Sequence, residues 1–197
     1  MSEEIRIDGT RDVRVTIDSP DADRAVVACP PHPQMGGSRT DQRLRAVGDA
    51  LASRDIACLR FDYGPWDEGT GERTDARNAL AYARDNYSPV GLFGYSFGAA
   101  IALCVAAEAD PQPVALSVLA PPSTVGEGLD TVGALAGIDC PVQVCYGERD
   151  DTVEWEPVVE RARGLGYAVE PFPADHFFVG QAEKIAERVG DFVAETT

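Results

Sequence analysis

Lysine is almost missing from this sequence: Lys184 is the only one among 17 basic residues, and the rest are arginine. Acidic residues number 33, so the formal net charge is -16 at pH 7. A surface of that sign repels polyanions, which excludes nucleic acid and anionic membranes as partners at ordinary salt. Acid excess with so little lysine points to a halophilic protein, whose self-repulsion high salt screens. No apolar run approaches the roughly 18 residues of a membrane span. The acidic start, MSEEIRIDGT, has no apolar stretch of the kind a secretory signal needs. A cytoplasmic protein is therefore expected. The five cysteines, Cys29, Cys58, Cys104, Cys140 and Cys145, form no C-x-x-C pair. They read as buried thiols rather than disulfides or metal ligands. Histidine is scarce as well, with His32 and His176 alone, so any search for a catalytic base is short.

What is present has a regular order. Two short alternating segments, EEIRI and DVRVTI, flank the turn DGTR and predict an N-terminal hairpin. Strand candidates follow at 24–29, 56–61, 89–94, 113–119, 141–146 and 167–172. Several are unbroken apolar runs, as in strands buried on both faces of a sheet. Between them, helical periodicity covers 38–54, 73–86, 97–109, 154–165 and 180–195, with a short helix near 128–136. A hairpin followed by β-α repeats implies an α/β fold: an eight-stranded, mostly parallel sheet with helices on both faces. The 197 residues suffice for a single domain with a full core. The segment from Ala120 to Cys140 is too short for a cap domain.

One stretch carries chemistry. GLFGYSFGAAIAL, residues 91–103, sets Ser96 between Gly94 and Gly98 where a strand gives way to a helix. This is the G-x-S-x-G pattern of a nucleophile elbow. The turn is so tight that side chains at 94 and 98 would strike neighbouring backbone, and the serine hydroxyl is left exposed. The helix behind it points its N-terminal dipole at the site. A serine nucleophile needs a base, and a base for this elbow comes last in the chain, after an acid. That order selects His176, in FPADHFFVG. The orienting acid comes from CYGERDDTVEW, where Asp150 is favoured over Asp151. Asp175 adjoins His176 and is poorly placed to reach the same ring. One oxyanion donor is the amide of Phe97, the residue after the nucleophile. The second should lie in CPPHPQMGGS. Pro31 and Pro33 have no N–H, which leaves Gln34 or Met35, and His32 reads as a residue shaping that loop. Trp66 and Phe177 are expected to line the substrate pocket.

These passages, with HPQMGGS and LRFDYGPWDEGTGE, make the whole chain resemble an α/β-hydrolase, within that superfamily a small, lidless, dienelactone-hydrolase-like or esterase-like protein. The resemblance implies a Ser-His-Asp hydrolase of small-molecule esters or related acyl bonds, needing no metal or organic cofactor. Ser96, Asp150 and His176 match its catalytic positions. True dienelactone hydrolases carry a cysteine at the elbow, so Ser96 does not imply a lactone substrate. A thioesterase, peptidase or acyltransferase would use the same residues, and a binding protein could keep the fold without catalysis.

Overall fold

Strand polarity follows from which faces are covered. The computed structural model describes residues 1–9, 11–126 and 128–196. The hairpin is β1 (Ser2–Ile7) and β2 (Val13–Asp18), paired antiparallel with Ile7 opposite Val13. Part of its predicted turn, Thr10, lies outside the described residues. Next come β3 (Arg24–Cys29), α1 (Gln42–Ala52), β4 (Ile56–Asp62), α2 (Thr70–Asn86), β5 (Val90–Tyr95) and α3 (Phe97–Glu108). They are followed by β6 (Leu116–Leu119), a small ribbon of β7 (Thr124–Val125) and β8 (Leu129–Asp130), and α4 (Thr131–Leu135). The chain ends with β9 (Val142–Gly147), α5 (Glu156–Gly164), β10 (Ala168–Phe172) and α6 (Ala182–Thr196). The eight-stranded sheet has the order β1-β2-β4-β3-β5-β6-β9-β10. β2 runs antiparallel to both its neighbours, and every other pairing from β4 to β10 is parallel.

Side-chain alternation splits the core into two layers. In β3, Ala25, Val27 and Cys29 join the layer under α2, α3 and α5, which also holds Leu80, Ile101 and Val158. Val26 and Ala28 face the opposite layer, where α1 supplies Leu44, Val47 and Leu51 and α6 supplies Ile185, Val189 and Val193. Both faces of the central strands are therefore apolar, which is why they read as continuous hydrophobic runs. Each fully buried Leu, Ile or Phe side chain contributes about 1.5–3 kcal/mol. Polar pairs interrupt the core: Ser117 donates to Gln143 Oε1 at 2.8 Å and Arg60 Nε to Asp18 Oδ2 at 2.7 Å, so these groups are not buried without a partner. All five cysteines are free thiols, and four of them are buried.

Element boundaries differ from the sequence expectation where side chains take over backbone hydrogen bonding. The first helix starts at Gln42 rather than Ser38, because Asp41 caps it and the Arg39 amide donates to Asp62 instead. The second starts a turn early at Thr70, because the Glu72 carboxylate accepts from the Asp67 and Gly69 amides. The strand expected at 113–119 is regular only over Leu116–Leu119. The short helix expected near 128–136 covers Thr131–Leu135, and the β7–β8 ribbon ahead of it was not anticipated. Among the described residues no helix is long and apolar enough to cross a membrane.

Candidate active site

The carboxyl ends of β3, β5, β9 and β10 converge on one edge of the sheet, where parallel sheets present their loops to ligands. At the end of β5 the chain reverses into α3 through Ser96, whose φ of 55° and ψ of -119° lie outside the ordinary regions for an L-residue. Such a conformation costs about 1–3 kcal/mol and persists only where its surroundings enforce it. Here the Ser96 amide donates to Leu119 O at 2.8 Å, and its carbonyl accepts from the Ala99 and Ala100 amides. A Cβ at Gly94 would fall inside the Gly98 carbonyl, and one at Gly98 inside the Cys29 and Pro30 carbonyls. Glycine is needed at both places by close backbone approach.

Ser96 Oγ lies 2.9 Å from His176 Nε2, and His176 Nδ1 lies 2.7 Å from Asp150 Oδ2. Asp150 is held from behind, since its Oδ1 accepts the Thr152 and Val153 amides and its carbonyl accepts Trp155 Nε1. The loops after β9 and β10 are laced together: the Glu148 amide donates to Phe172 O and the Arg149 amide to Ala174 O. Gly147 permits this approach, because a Cβ there would sit 2.6 Å from Ala174 O. Asp175 is occupied with its own loop, accepting the Phe177 and Phe178 amides. Asp151 is exposed. The three residues expected as nucleophile, base and acid are thus brought together in one hydrogen-bonded row.

The expected oxyanion donors fare differently. The Phe97 amide opens α3 beside Ser96, as anticipated. The Gln34 amide is turned onto His32 Nδ1 at 3.3 Å, and the Met35 amide donates to His32 O at 3.0 Å. Both are spent inside the short 3₁₀ turn Pro33–Met35, so neither offers its N–H to a ligand. Among the described residues, the amides of His32 and Phe97 have no acceptor. The elimination of Pro31 and Pro33 passed over the amide between them. As expected, His32 shapes the loop, with its ring packed at a tilt 4.5 Å from Trp66 and 4.9 Å from Phe97. Burial holds its imidazole below the usual histidine range, against a weaker opposing pull from Glu72.

Ser96 and His176 open onto a cavity of about 510 Å³. Pro31, His32 and Met35 form one wall, and Pro122, Thr124 and Val125 another. Thr152, Val153 and Phe177 close the remaining side. Phe177 therefore lines the pocket as expected, whereas Trp66 does not: it stands behind His32 and Phe97 and supports them. Trp66 is drawn away because its loop is pinned to α2 through Glu72 and Asp75, the latter accepting the Gly64 amide and Arg11. A larger open groove of about 1210 Å³ between α1 and α6 lies away from Ser96 and His176.

Three residues that sequence reasoning passed over complete the surroundings. Tyr95 donates its hydroxyl to His176 O at 3.0 Å. Burial pushes that phenol up to about 12, so it remains a neutral donor. Arg43 donates to Phe177 O at 3.0 Å, lies over the Tyr95 ring at 4.4 Å, and pairs with Asp41. Only the last pair has a sequence signal, an acid two residues before an arginine at a helix start.

The profile of the dienelactone hydrolase family matches residues 49–190. The chain belongs to the dienelactone hydrolase family. Among solved structures, this family member is similar to an alpha-beta serine hydrolase homologue from Coxiella burnetii, at 25% identity over 97% of each chain and a TM-score of 0.81. It is similar in fold to a lidless α/β serine hydrolase from Xanthomonas campestris, at 24% identity over 98% and 94% of the two chains and a TM-score of 0.81. An esterase from Pyrococcus furiosus shares the fold at 17% identity, over 100% and 91% of the two chains, with a TM-score of 0.86. No curated protein sequence matches. The fold is that of the α/β-hydrolases, without a cap domain among the described residues, and the family is one of hydrolases.

Proposed function

We propose that this protein is a serine hydrolase that cleaves ester-type acyl bonds of small molecules through an acyl-serine intermediate. The observation that carries this reading is the row Asp150–His176–Ser96, with both contacts under 3 Å and Ser96 in the strained conformation of an elbow. In this mechanism His176 takes the proton as Ser96 Oγ attacks the carbonyl carbon. The amides of Phe97 and His32 hold the oxyanion, with the α3 N-terminus adding its positive end. The alcohol leaves with the proton that His176 returns. A water deprotonated by His176 then cleaves the acyl-serine. Asp150 stays ionised, fixing the tautomer and stabilising the imidazolium.

The test is labelling with a fluorophosphonate together with turnover of a p-nitrophenyl ester series, each at low and at molar salt. The expected result is an adduct mapped to Ser96, saturable ester turnover, and loss of both in Ser96→Ala. No adduct in a folded sample would favour a binding protein that retains the fold. Turnover of esters by Ser96→Ala would remove the serine from the mechanism. A dependence of activity on molar salt would support the halophilic reading of the acidic surface.

A further inference from the structure

We propose that Asp41 is a specificity-determining residue: by neutralising Arg43 in the pocket wall it restricts the substrate to esters whose acyl group is uncharged. The inference rests on the ester-hydrolase reading and deepens it. Among the described residues, Asp41 and Arg43 are the only acidic and basic side chains lining the cavity, apart from the two histidines. An isolated arginine there would attract a carboxylate-bearing substrate. Three of this one's five N–H donors are already committed. Its Nε donates to Asp41 Oδ1 at 2.9 Å, its Nη2 to Asp41 Oδ2, and its Nη1 to Phe177 O at 3.0 Å. One guanidinium face is covered by Tyr95. Asp41 is equally committed, with Oδ1 also accepting the Arg43 amide at 2.8 Å as the cap of α1. The two charges are thus closed on each other, and the guanidinium brings no uncompensated charge to the pocket.

Among the described residues, the rest of the lining carries no acidic or basic side chain but the two histidines. Pro122, Val125 and Val153 line it, and Met35 and Phe177 carry it outward as exposed apolar side chains. A carboxylate placed there would lose its hydration without gaining an uncompensated counter-charge. The net charge of -16 adds a long-range repulsion of the same sign.

The pair also offers a clean substitution. Asp41→Asn keeps an oxygen acceptor at the cap, where asparagine serves as well as aspartate; it removes the charge and sets an NH2 against Arg43 Nη2, which is thereby released. Arg43 would then present an uncompensated cation to the pocket. The experiment compares kcat/KM for p-nitrophenyl pentanoate and for the mono-p-nitrophenyl ester of glutaric acid, which has the same chain length and ends in a carboxylate. The parent protein should prefer the pentanoate by about 100-fold or more. Asp41→Asn should cut that preference by at least about tenfold at low salt and by less at high salt. Asp41→Asn/Arg43→Gln should return it toward the parent value. Each preference is a ratio from one sample, so a reduced fraction of folded protein cancels. Should Asp41→Asn not fold, Asp41→Ser keeps a capping oxygen and carries the same expectation. Comparable kcat/KM for the two esters in the parent, or an unaltered ratio in the variants, would overturn the proposal. Absence of turnover with both esters would count against the ester-hydrolase reading instead. The same ratio would then be read from labelling rates of Ser96 by a neutral and a carboxylate-bearing alkyl fluorophosphonate, and equal rates would overturn the selectivity.

Discussion

Asp150→Asn should abolish most of the activity while leaving the fold intact, and the structure says why. Asp150 Oδ1 accepts two backbone amides, from Thr152 at 2.9 Å and Val153 at 3.3 Å. An asparagine at this position must keep its carbonyl oxygen toward those donors. Its NH2 group is then forced against His176 Nδ1, at the 2.7 Å contact that Oδ2 makes in the parent. Two donors cannot face one another, so Nδ1 gives up its proton and the neutral ring carries it on Nε2. That nitrogen points at Ser96 Oγ from 2.9 Å and can no longer accept its proton. The imidazolium that would form on attack also loses its counter-charge. Loss of the correct tautomer and of that charge is worth about 10³–10⁴ in kcat, or about 4–5.5 kcal/mol of barrier. The assay is stopped-flow hydrolysis of p-nitrophenyl acetate, with burst amplitude and steady-state rate taken separately and thermal unfolding used to verify the fold. The acylation rate should carry the loss. Asp151→Asn, at an exposed neighbour, serves as the control. A folded Asp150→Asn whose kcat stays within about tenfold of the parent would refute the reasoning.

The proposed second oxyanion donor, the His32 amide, can be removed almost in isolation. His32 has φ of -57°, close to the fixed angle of proline, so His32→Pro deletes the amide without bending the loop, and it should lose about 10²–10³ in kcat relative to His32→Ala. Equal rates in the two variants would take the His32 amide out of the mechanism. Gly147→Ala would place a Cβ 2.6 Å from Ala174 O and 2.9 Å from Asp175 O, both backbone atoms. The loops bearing Asp150 and His176 must then part, with a stability loss of about 1–3 kcal/mol and a fall in kcat of at least about tenfold, read from urea denaturation and ester turnover. Tyr95 is an acid whose folded pKa is raised to about 12 from 10.0. Its contribution to stability is therefore full below pH 10 and lost as the pH rises toward 12. The urea midpoint of the parent should fall across that window by more than that of Tyr95→Phe, and parallel curves would remove the assignment.

The parts of this site that were legible in the sequence share one property: their chemistry resides in side-chain identity. Ser96 stands between two glycines after an apolar strand, His176 is one of two histidines, and Asp150 follows the penultimate long strand. Chain order in an α/β sheet then suffices to bring them to one edge. The fold was legible for a related reason. Strands buried on both faces must be continuously apolar, and helices packed on one face must be periodic. The boundaries that shifted are those where Asp41, Asp62 and Glu72 replaced backbone acceptors.

Backbone donors are a different kind of feature. Every residue except proline carries the same N–H, so identity cannot say which amide faces a ligand. In the loop after β3 the answer depends on the His32 side chain and carbonyl. His32 Nδ1 captures the Gln34 amide and His32 O captures those of Met35 and Gly37, which leaves the His32 amide itself over. The residue that shapes the loop is thereby also the one whose amide is left facing nothing. Trp66 was misplaced by the same kind of competition. Its aromatic ring suits a pocket wall, but Asp75 and Glu72 at the start of α2 bind the surrounding backbone and carry the indole behind His32 instead. The pocket's polarity follows this pattern too. Arg43 on its own would suggest an anion site, and it is the two-residue spacing to Asp41, closed into an ion pair at the helix start, that cancels the charge. The proposed selectivity therefore rests on how the charged groups and amides are paired with one another, which is a property of the folded loops.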